Sequence, residues 1–303
     1  MPVLREAVLG WLAPMAGGVM LDATLGLGGH AGAMLPLLGP GGTLVGLDRD
    51  AGQIALARER LAEPAERHGV RLELVHGDFA EARDVLHGMD LRADRVLADL
   101  GFASNQVDDA ARGLSFQREG PLDMRLDPTR GPTAAELVAK LGERELADVL
   151  FELGEERLSR RIARKIVERR GSEPIQTTRQ LASLVRSAYG SGSGPRGRRQ
   201  RIDPATRTFQ ALRIAVNDEL ASLDRLLRDV PTLVSAEARV GVISFHSLED
   251  RRVKRAFAEW EERGMGKRAT RKPVTAEAAE ARDNPRSRSA KLRVFTFAAA
   301  SGP

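Results

Sequence analysis

Along the first hundred residues the apolar positions fall into short runs that end in acids. Val19-Met20-Leu21-Asp22 is followed by a glycine-rich turn over residues 23–30 and by a predicted helix through Leu38. Thr43-Leu44-Val45-Gly46-Leu47-Asp48 repeats the theme, and residues 53–61 carry apolar side chains at helical spacing. Val70-Arg71-Leu72-Glu73-Leu74 alternates strictly and leads to Asp78-Phe79, and Arg95-Val96-Leu97-Ala98-Asp99 is a fourth run closed by an acid. Period-two runs alternating with period-3.6 segments predict an α/β chain with a doubly wound, parallel, Rossmann-like sheet.

The alternation then stops. The next buried-strand pattern, Val240-Gly241-Val242-Ile243-Ser244-Phe245, begins about 140 residues after Asp99, far more than one crossover needs. The intervening chain reads as helices over residues 133–140, 143–153, 155–170 and 178–189, the first opened by a capping box of Thr133 and Glu136. These observations predict an inserted helical domain: residues 1–105 and 206–303 form the sheet domain, and 106–205 form the insert. Within 155–170, Leu158, Ile162 and Ile166 make one stripe, while Arg157, Arg160, Arg161, Arg164, Lys165, Arg169 and Arg170 cover the rest. Such a surface is either solvated or made for an anionic partner. Residues 190–201 are a Gly/Ser linker loaded with arginines. A long helix over 204–227, with Phe209, Leu212, Val216, Leu220 and Leu223 on one side, is expected to return the chain to a sheet that finishes at 292–297. Residues 264–291 read as a polar, basic connection.

Composition narrows the chemistry. The 303 residues contain no cysteine, which removes disulfides, zinc–cysteine centres, iron–sulfur clusters and thiolate nucleophiles, and no metal is expected. Of 47 basic residues only six are Lys, so guanidinium groups suited to phosphate dominate. Aromatics at 4% are too few for a broad base-stacking platform. No apolar run reaches the roughly 18 residues of a membrane span, and Arg5 and Glu6 interrupt the N-terminal apolar stretch, so a cytoplasmic protein without a membrane partner is expected.

Gly26-x-Gly28-x-x-Ala31 after a strand, with Asp48 ending the next, is a nucleotide-cofactor arrangement in which glycines allow close approach and the acid takes ribose hydroxyls. NAD and S-adenosylmethionine sites share it. Asp22, Thr24, Gly26 and Gly28 follow the Asp-x-Gly-x-Gly-x-Gly spacing of methyltransferase loops with Thr at the first glycine, and Asp78-Phe79 could bind and stack an adenine. Asp99-Leu100-Gly101-Phe102 has the acid and aromatic of the Asp-Pro-Pro-aromatic pattern of amino-group methyltransferases without its prolines. His246 lies just past another strand end. Three readings stay open on these residues: a methyltransferase, a dinucleotide-dependent oxidoreductase, and an RNA-binding assembly factor with an inert site.

Longer motifs carry a resemblance. Asp99-Leu100-Gly101, Gln106-x-Asp108-Asp109, Arg112-Gly113-Leu114-Ser115-Phe116, the run from Gly120 to Pro128, Pro204-Ala205-Thr206-Arg207-Thr208-Phe209, Ser244 to Arg251, and Asn284 to Arg293 are similar to the bacterial 16S rRNA cytosine-N4 methyltransferases known as RsmH or MraW. The resemblance spans nearly the whole chain. It implies a class I methyltransferase fold and an S-adenosyl-L-methionine site at Gly28, Gly29, His30, Asp48, Phe79, Asp99 and Gln106. It also implies 16S rRNA of the small ribosomal subunit as partner, with no DNA. Asp99 is the catalytic candidate and His246 the second; oligomeric state stays open, a homodimer included. Two departures stand out: Gly101-Phe102-Ala103-Ser104-Asn105-Gln106 where the family reads Gly-Val-Ser-Ser-Pro-Gln, and Asp203 where it commonly has His.

Overall fold

The computed structural model describes residues 1–189 and 203–299, which form two compact units, Met1–Gly101 with the residues from Leu220 onward, and Phe102–Glu219. The arginine-loaded linker predicted at 190–201 lies outside the described residues.

The first unit starts with α1 (Arg5–Leu12), β1 (Val19–Asp22), α2 (Gly29–Leu38), β2 (Thr43–Asp48), α3 (Ala51–His68), β3 (Arg71–His76), α4 (Ala82–Gly88) and β4 (Ala93–Asp99). The second holds α5 (Ser104–Asp108), α6 (Ala134–Lys140), α7 (Glu143–Gly154), α8 (Ser159–Ser172), α9 (Thr178–Tyr189) and α10 (Ala205–Asn217). The chain re-enters the first unit through α11 (Glu219–Leu233), then β5 (Val234–Ser244), α12 (Ser247–Glu262), β6 (Gly266–Arg268), α13 (Ala278–Asp283) and β7 (Lys291–Phe297).

The sheet has strand order β3-β2-β1-β4-β5-β7-β6. β1 to β5 are parallel, and β7 runs antiparallel between β5 and β6. The acid-ended strands predicted the doubly wound, Rossmann-like sheet, and with β7 antiparallel it is the class I methyltransferase fold that the resemblance implied. Successive residues divide between its two faces, as a two-residue repeat requires. Leu21, Val45, Val96, Val240 and Phe295 join a core with α4, α11 and α12, whereas Met20, Leu44, Leu97 and Leu292 join one with α1, α2 and α3. Because the order reverses between β1 and β4, the crevice of an open α/β sheet opens at the carboxyl ends of those strands.

Three expectations change. The helix expected over 204–227 is two helices, because Asp218 adopts φ 50° and ends α10. The single apolar side then feeds two cores: Phe209 and Leu212 belong to the second unit, Leu223 to the first. The helix expected from Glu155 starts at Ser159. Glu155, at φ 50°, terminates α7, and fully buried Glu156 accepts hydrogen bonds from the Tyr189 hydroxyl at 2.8 Å and the Leu158 N–H at 2.8 Å. The connection expected over 264–291 contains β6 and α13 and is tied to the opposite end of the chain, since the Leu4 N–H donates to Glu280 Oε1 at 2.6 Å.

Several family-like motifs prove to be scaffolding. Asn217 accepts from the Leu126 N–H and donates to the Met124 carbonyl, while Arg112 donates to the Leu126 carbonyl, so the 120–128 run is knotted to α10 within the second unit. On the sheet, Arg293 of β7 donates to Asp250 of α12 at 2.7 and 3.3 Å. Burial pushes the Asp250 carboxyl up, but Arg293 and Lys291 more than reverse this and hold it below its usual range. A carboxyl lowered on folding stabilises above its unfolded value, near 4, and that contribution is lost as pH falls through the folded value. Asp250→Asn is therefore expected to cost about 3 kcal/mol at pH 7, as when one partner of a mostly buried pair is removed, and denaturant titrations should show the deficit shrinking as pH falls below the unfolded value.

Candidate active site at the carboxyl edge of the sheet

The turn after β1 is stitched to both neighbouring strands. The Ala23 N–H donates to the Leu97 carbonyl and the Leu25 N–H to the Leu47 carbonyl, both at 2.8 Å, which extends the sheet by one more residue pair on each side. Asp48 continues the stitching with its side chain: Oδ2 accepts the Gly26 N–H and Oδ1 the Asp50 N–H, each at 2.8 Å. Gly28 then caps α2 with φ 75°, and a Cβ there would stand 2.8 Å from Leu61 Cδ1, so only glycine satisfies both the backbone and the packing. The α2 N-terminus, with Gly29 and His30 as its first residues, thus opens at the crevice with its positive dipole end.

Below this turn lies a cluster of acids around one imidazole. Asp22 is 1% exposed; its Oδ1 accepts the Thr24 N–H at 3.2 Å and its Oδ2 has no hydrogen-bond partner. Burial pushes its carboxyl up to about 6, against the opposing pull of His30. The Thr24 hydroxyl accepts the Asp99 N–H at 2.6 Å, tying the ends of β1 and β4 together. His30 Nε2 stands 3.6 Å from Asp99 Oδ2, longer than a hydrogen bond, and both ring nitrogens lack a hydrogen-bond partner. Burial pushes the imidazole down, but Asp99 and Asp22 outweigh it and hold its pKa above the ordinary value. Asp99 Oδ1 is likewise buried and unpartnered. Asp48 is also raised, chiefly by burial. Unsatisfied buried polar atoms gathered in a crevice are what a bound polar ligand would satisfy.

The structure brings Gly28, Gly29, His30, Asp48, Phe79 and Asp99 to one edge of one sheet. His246 stands at the end of β5 on the same edge. It caps α12, its Nε2 lies 3.1 Å from Glu249 Oε1, and Glu249 Oε2 accepts the Phe245 and His246 N–H groups. Gln106 belongs to the second unit, where its Oε1 accepts the Ala103 N–H at 2.8 Å and closes its own turn. In that same turn the Phe102 ring lies 4.7 Å from the Arg213 guanidinium, which shows what the first departure supports. At the second departure, Asp203 accepts the Ala205 N–H at the start of α10 and pairs with Arg186 at 2.9 Å. Asp78, which with Phe79 could bind and stack an adenine, already accepts three hydrogen bonds: Oδ1 accepts the Ala80 N–H, and Oδ2 accepts from Arg49 and from the Ser222 hydroxyl.

The sequence reading missed Thr24 as a strand tie, and Arg49 and Ser222 altogether. Thr24 was legible only as an odd residue in a glycine pattern. Ser222 carries no local signal, because it lies 144 positions from the residue it serves.

Asp22 supplies a test of this electrostatic picture. Its folded pKa exceeds its unfolded value of 3.8, so stability is complete below pH 4 and is lost as pH rises through 6. A displacement of that size costs on the order of 3 kcal/mol at neutral pH. Asp22→Asn keeps the shape and the Thr24 contact, and is expected to raise unfolding free energy by about 1–3 kcal/mol at pH 8, with the gain vanishing at pH 4. No gain at pH 8 would contradict the assignment.

Known proteins resemble the chain over nearly its whole length. The model of the MraW methylase family matches residues 1–298. Ribosomal RNA small subunit methyltransferase H of Acidobacterium capsulatum is 49% identical over 295 residues, covering 96% of each chain. The enzyme of the same name from Synechococcus sp. (strain CC9605) is 50% identical over 306 residues, covering 99% of this chain and 98% of its own. Among solved structures, an rRNA methylase from Streptococcus thermophilus aligns over 97% of this chain and 93% of its own, at 7% identity and a TM-score of 0.44.

Proposed function

The chain belongs to the MraW methylase family, and from that membership we propose that it transfers a methyl group from S-adenosyl-L-methionine to the exocyclic N4 of a cytidine in 16S rRNA of the small ribosomal subunit, in the cytoplasm. The observation that carries the chemistry is Asp99 at the end of β4, its Oδ1 buried without a partner beside His30. Among the described residues no helix is long and apolar enough to cross a membrane.

The residues present fit such a donor. Gly28, Gly29 and His30 at the α2 N-terminus and Asp48 at the end of β2 offer backbone and carboxylate groups to its amino-acid and ribose parts, and Phe79 offers a ring to its base; Gln106 is added to this set by the resemblance alone. The bound donor supplies an electrophilic methyl on a positively charged sulfur. The protein's task is alignment and charge control, since a cytosine amino group is a poor nucleophile while its lone pair is conjugated with the ring. Asp99 Oδ1 accepts one amino hydrogen, which turns the lone pair out of conjugation and toward the methyl. Once the nitrogen has formed its new bond it carries a surplus proton, and Asp99, or His246 steadied by Glu249, receives it. The chain offers no thiolate for the covalent route to a C5 product.

The second unit suits the RNA. Its α8 exposes Arg160 and Arg161 and half-buries Lys165, with Arg157 exposed just before it, and none of these four has a hydrogen-bond or ion-pair partner among the described residues. Other cations of that stretch serve the fold: Arg170 donates to the Val138 and Leu141 carbonyls at the end of α6, Arg169 pairs with Glu173, and Arg164 pairs with Glu143. We therefore expect the four free cations, with the arginines of the 190–201 linker, to contact phosphates.

Three experiments test this reading. Small subunits from a strain lacking the activity, incubated with labelled donor and digested to nucleosides, should yield label in N4-methylcytidine. Label in 5-methylcytidine would refute the reading. Asp99→Ala should lower the rate at saturating donor about a hundredfold or more. Replacing Arg157, Arg160, Arg161 and Lys165 with Gln should weaken RNA binding and reduce the slope of log K against log salt by up to about 3, leaving donor affinity unchanged. An unchanged slope would make α8 an ordinary solvated helix.

A further inference from the structure

The carboxylate that follows β3 is sequestered. Three donors already point at the two oxygens of Asp78: the Ala80 N–H at 2.9 Å on Oδ1, and the Ser222 hydroxyl at 2.9 Å with the Arg49 guanidinium on Oδ2. Ser222, itself buried, also accepts from Arg49 Nη2 at 2.6 Å, which closes a triangle of β2, β3 and α11. Arg49 does more than neutralise Asp78. Its guanidinium carbon lies 5.6 Å from the centre of the Phe79 ring, and its carbonyl is 2.8 Å from His76 Nε2. It directly follows Asp48, whose side chain holds the glycine turn. One residue thus joins the acid that ends β2 to the aromatic ring that follows β3. Arg49 and Asp78 have side chains only 15% and 20% exposed, so their pairing is screened little by solvent.

We propose that Arg49 and Ser222 are positioning residues for the base of the donor: acting through the Asp78 carboxylate, they fix the Phe79 ring against which the adenine rests. Asp78 is an anchor and does not read the adenine amino group. The proposal rests on the S-adenosylmethionine reading of this site. Its physical basis is preorganisation, since a ring already held in place loses less freedom when a ligand packs on it. A planar guanidinium suits this role because it can bond a carboxylate along its edge while presenting a face to an aromatic ring.

The test is calorimetric binding of two neutral ligands, S-adenosylhomocysteine and its inosine analogue, which carries an oxo group in place of the adenine amino group. Ser222→Ala removes one hydroxyl and is the variant least able to disturb folding; Arg49→Gln removes the guanidinium. Both are expected to weaken both ligands by the same factor, about three- to thirtyfold, from the loss of a hydrogen bond to a charged group. The adenine-to-inosine affinity ratio should stay at its wild-type value, and should stay there in Asp78→Asn as well. In a Phe79→Leu background, Ser222→Ala should change affinity less than about twofold, because the residue through which it acts is gone. A merely structural role would persist in that background. Unaltered affinity in folded Ser222→Ala and Arg49→Gln, or a ratio that collapses in Asp78→Asn, overturns the proposal while leaving the donor reading intact. Failure of the wild-type protein to bind S-adenosylhomocysteine at all overturns both.

Discussion

A parallel strand that ends in a carboxylate presents an anion at an edge where backbone N–H groups are the nearest donors, and the rest of the site is organised by meeting that demand. Asp48 meets it with the Gly26 and Asp50 N–H groups, and Asp22 with that of Thr24. The turn between β1 and α2 must therefore fold back over the strand ends. Glycine at 28 follows from this, because the backbone that completes the turn enters the left-handed region directly above Leu61. Asp99 differs: its own N–H is held by Thr24, but its Oδ1 has no donor. Among the described residues the Asp22 Oδ2 also lacks a partner, but Asp22 is almost wholly buried, whereas Asp99 stands part-exposed at the switch point, where a substrate could satisfy it.

The strands and helices of the sheet unit were legible because each is a local pattern: an apolar run, an acid, a glycine turn. The same locality made Asp48 and Asp99 visible as candidate site residues. What escaped depends on contacts between distant positions. The break at Asp218 has no glycine or proline to announce it, and the apolar spacing from Phe209 to Leu223 runs through it unbroken. Only the division of those side chains between two cores reveals two helices. Asp78 was legible as an acid after a strand, but its occupation by Arg49 and Ser222 was not, because α11 reaches it from the far side of the insert in sequence.

The abundance of arginine also resolves into distinct tasks. Arg293 secures β7 to α12, Arg170 satisfies carbonyls at the end of α6, and Arg95 is buried where it donates to the Ala13 carbonyl. Long family-like motifs in this chain thus mix scaffold with chemistry. Ser244 to Arg251 holds both His246, at the crevice, and Asp250, whose partner is on the neighbouring β7. Aromatic residues follow the same logic. Phe257, Trp260, Phe295 and Phe297 pack on one another with centroids 5.0 to 5.6 Å apart, which commits a large part of a small aromatic complement to the core.

The acids at the crevice oppose folding and favour binding for one reason. Burial raises Asp22 and Asp48, so a neutral-pH fold carries charge in a place that disfavours it, and His30 gives only partial relief because Asp99 and Asp22 share it. A cationic ligand entering the crevice would add the positive charge the cluster lacks, whereas a neutral one of similar shape would not. The field that costs the empty protein stability therefore discriminates between ligands by charge, and in a methyl transfer the donor is cationic before the reaction and neutral after it. If the proposed donor is seated in this crevice, the same carboxylates would hold its charged form more strongly than its spent, neutral form.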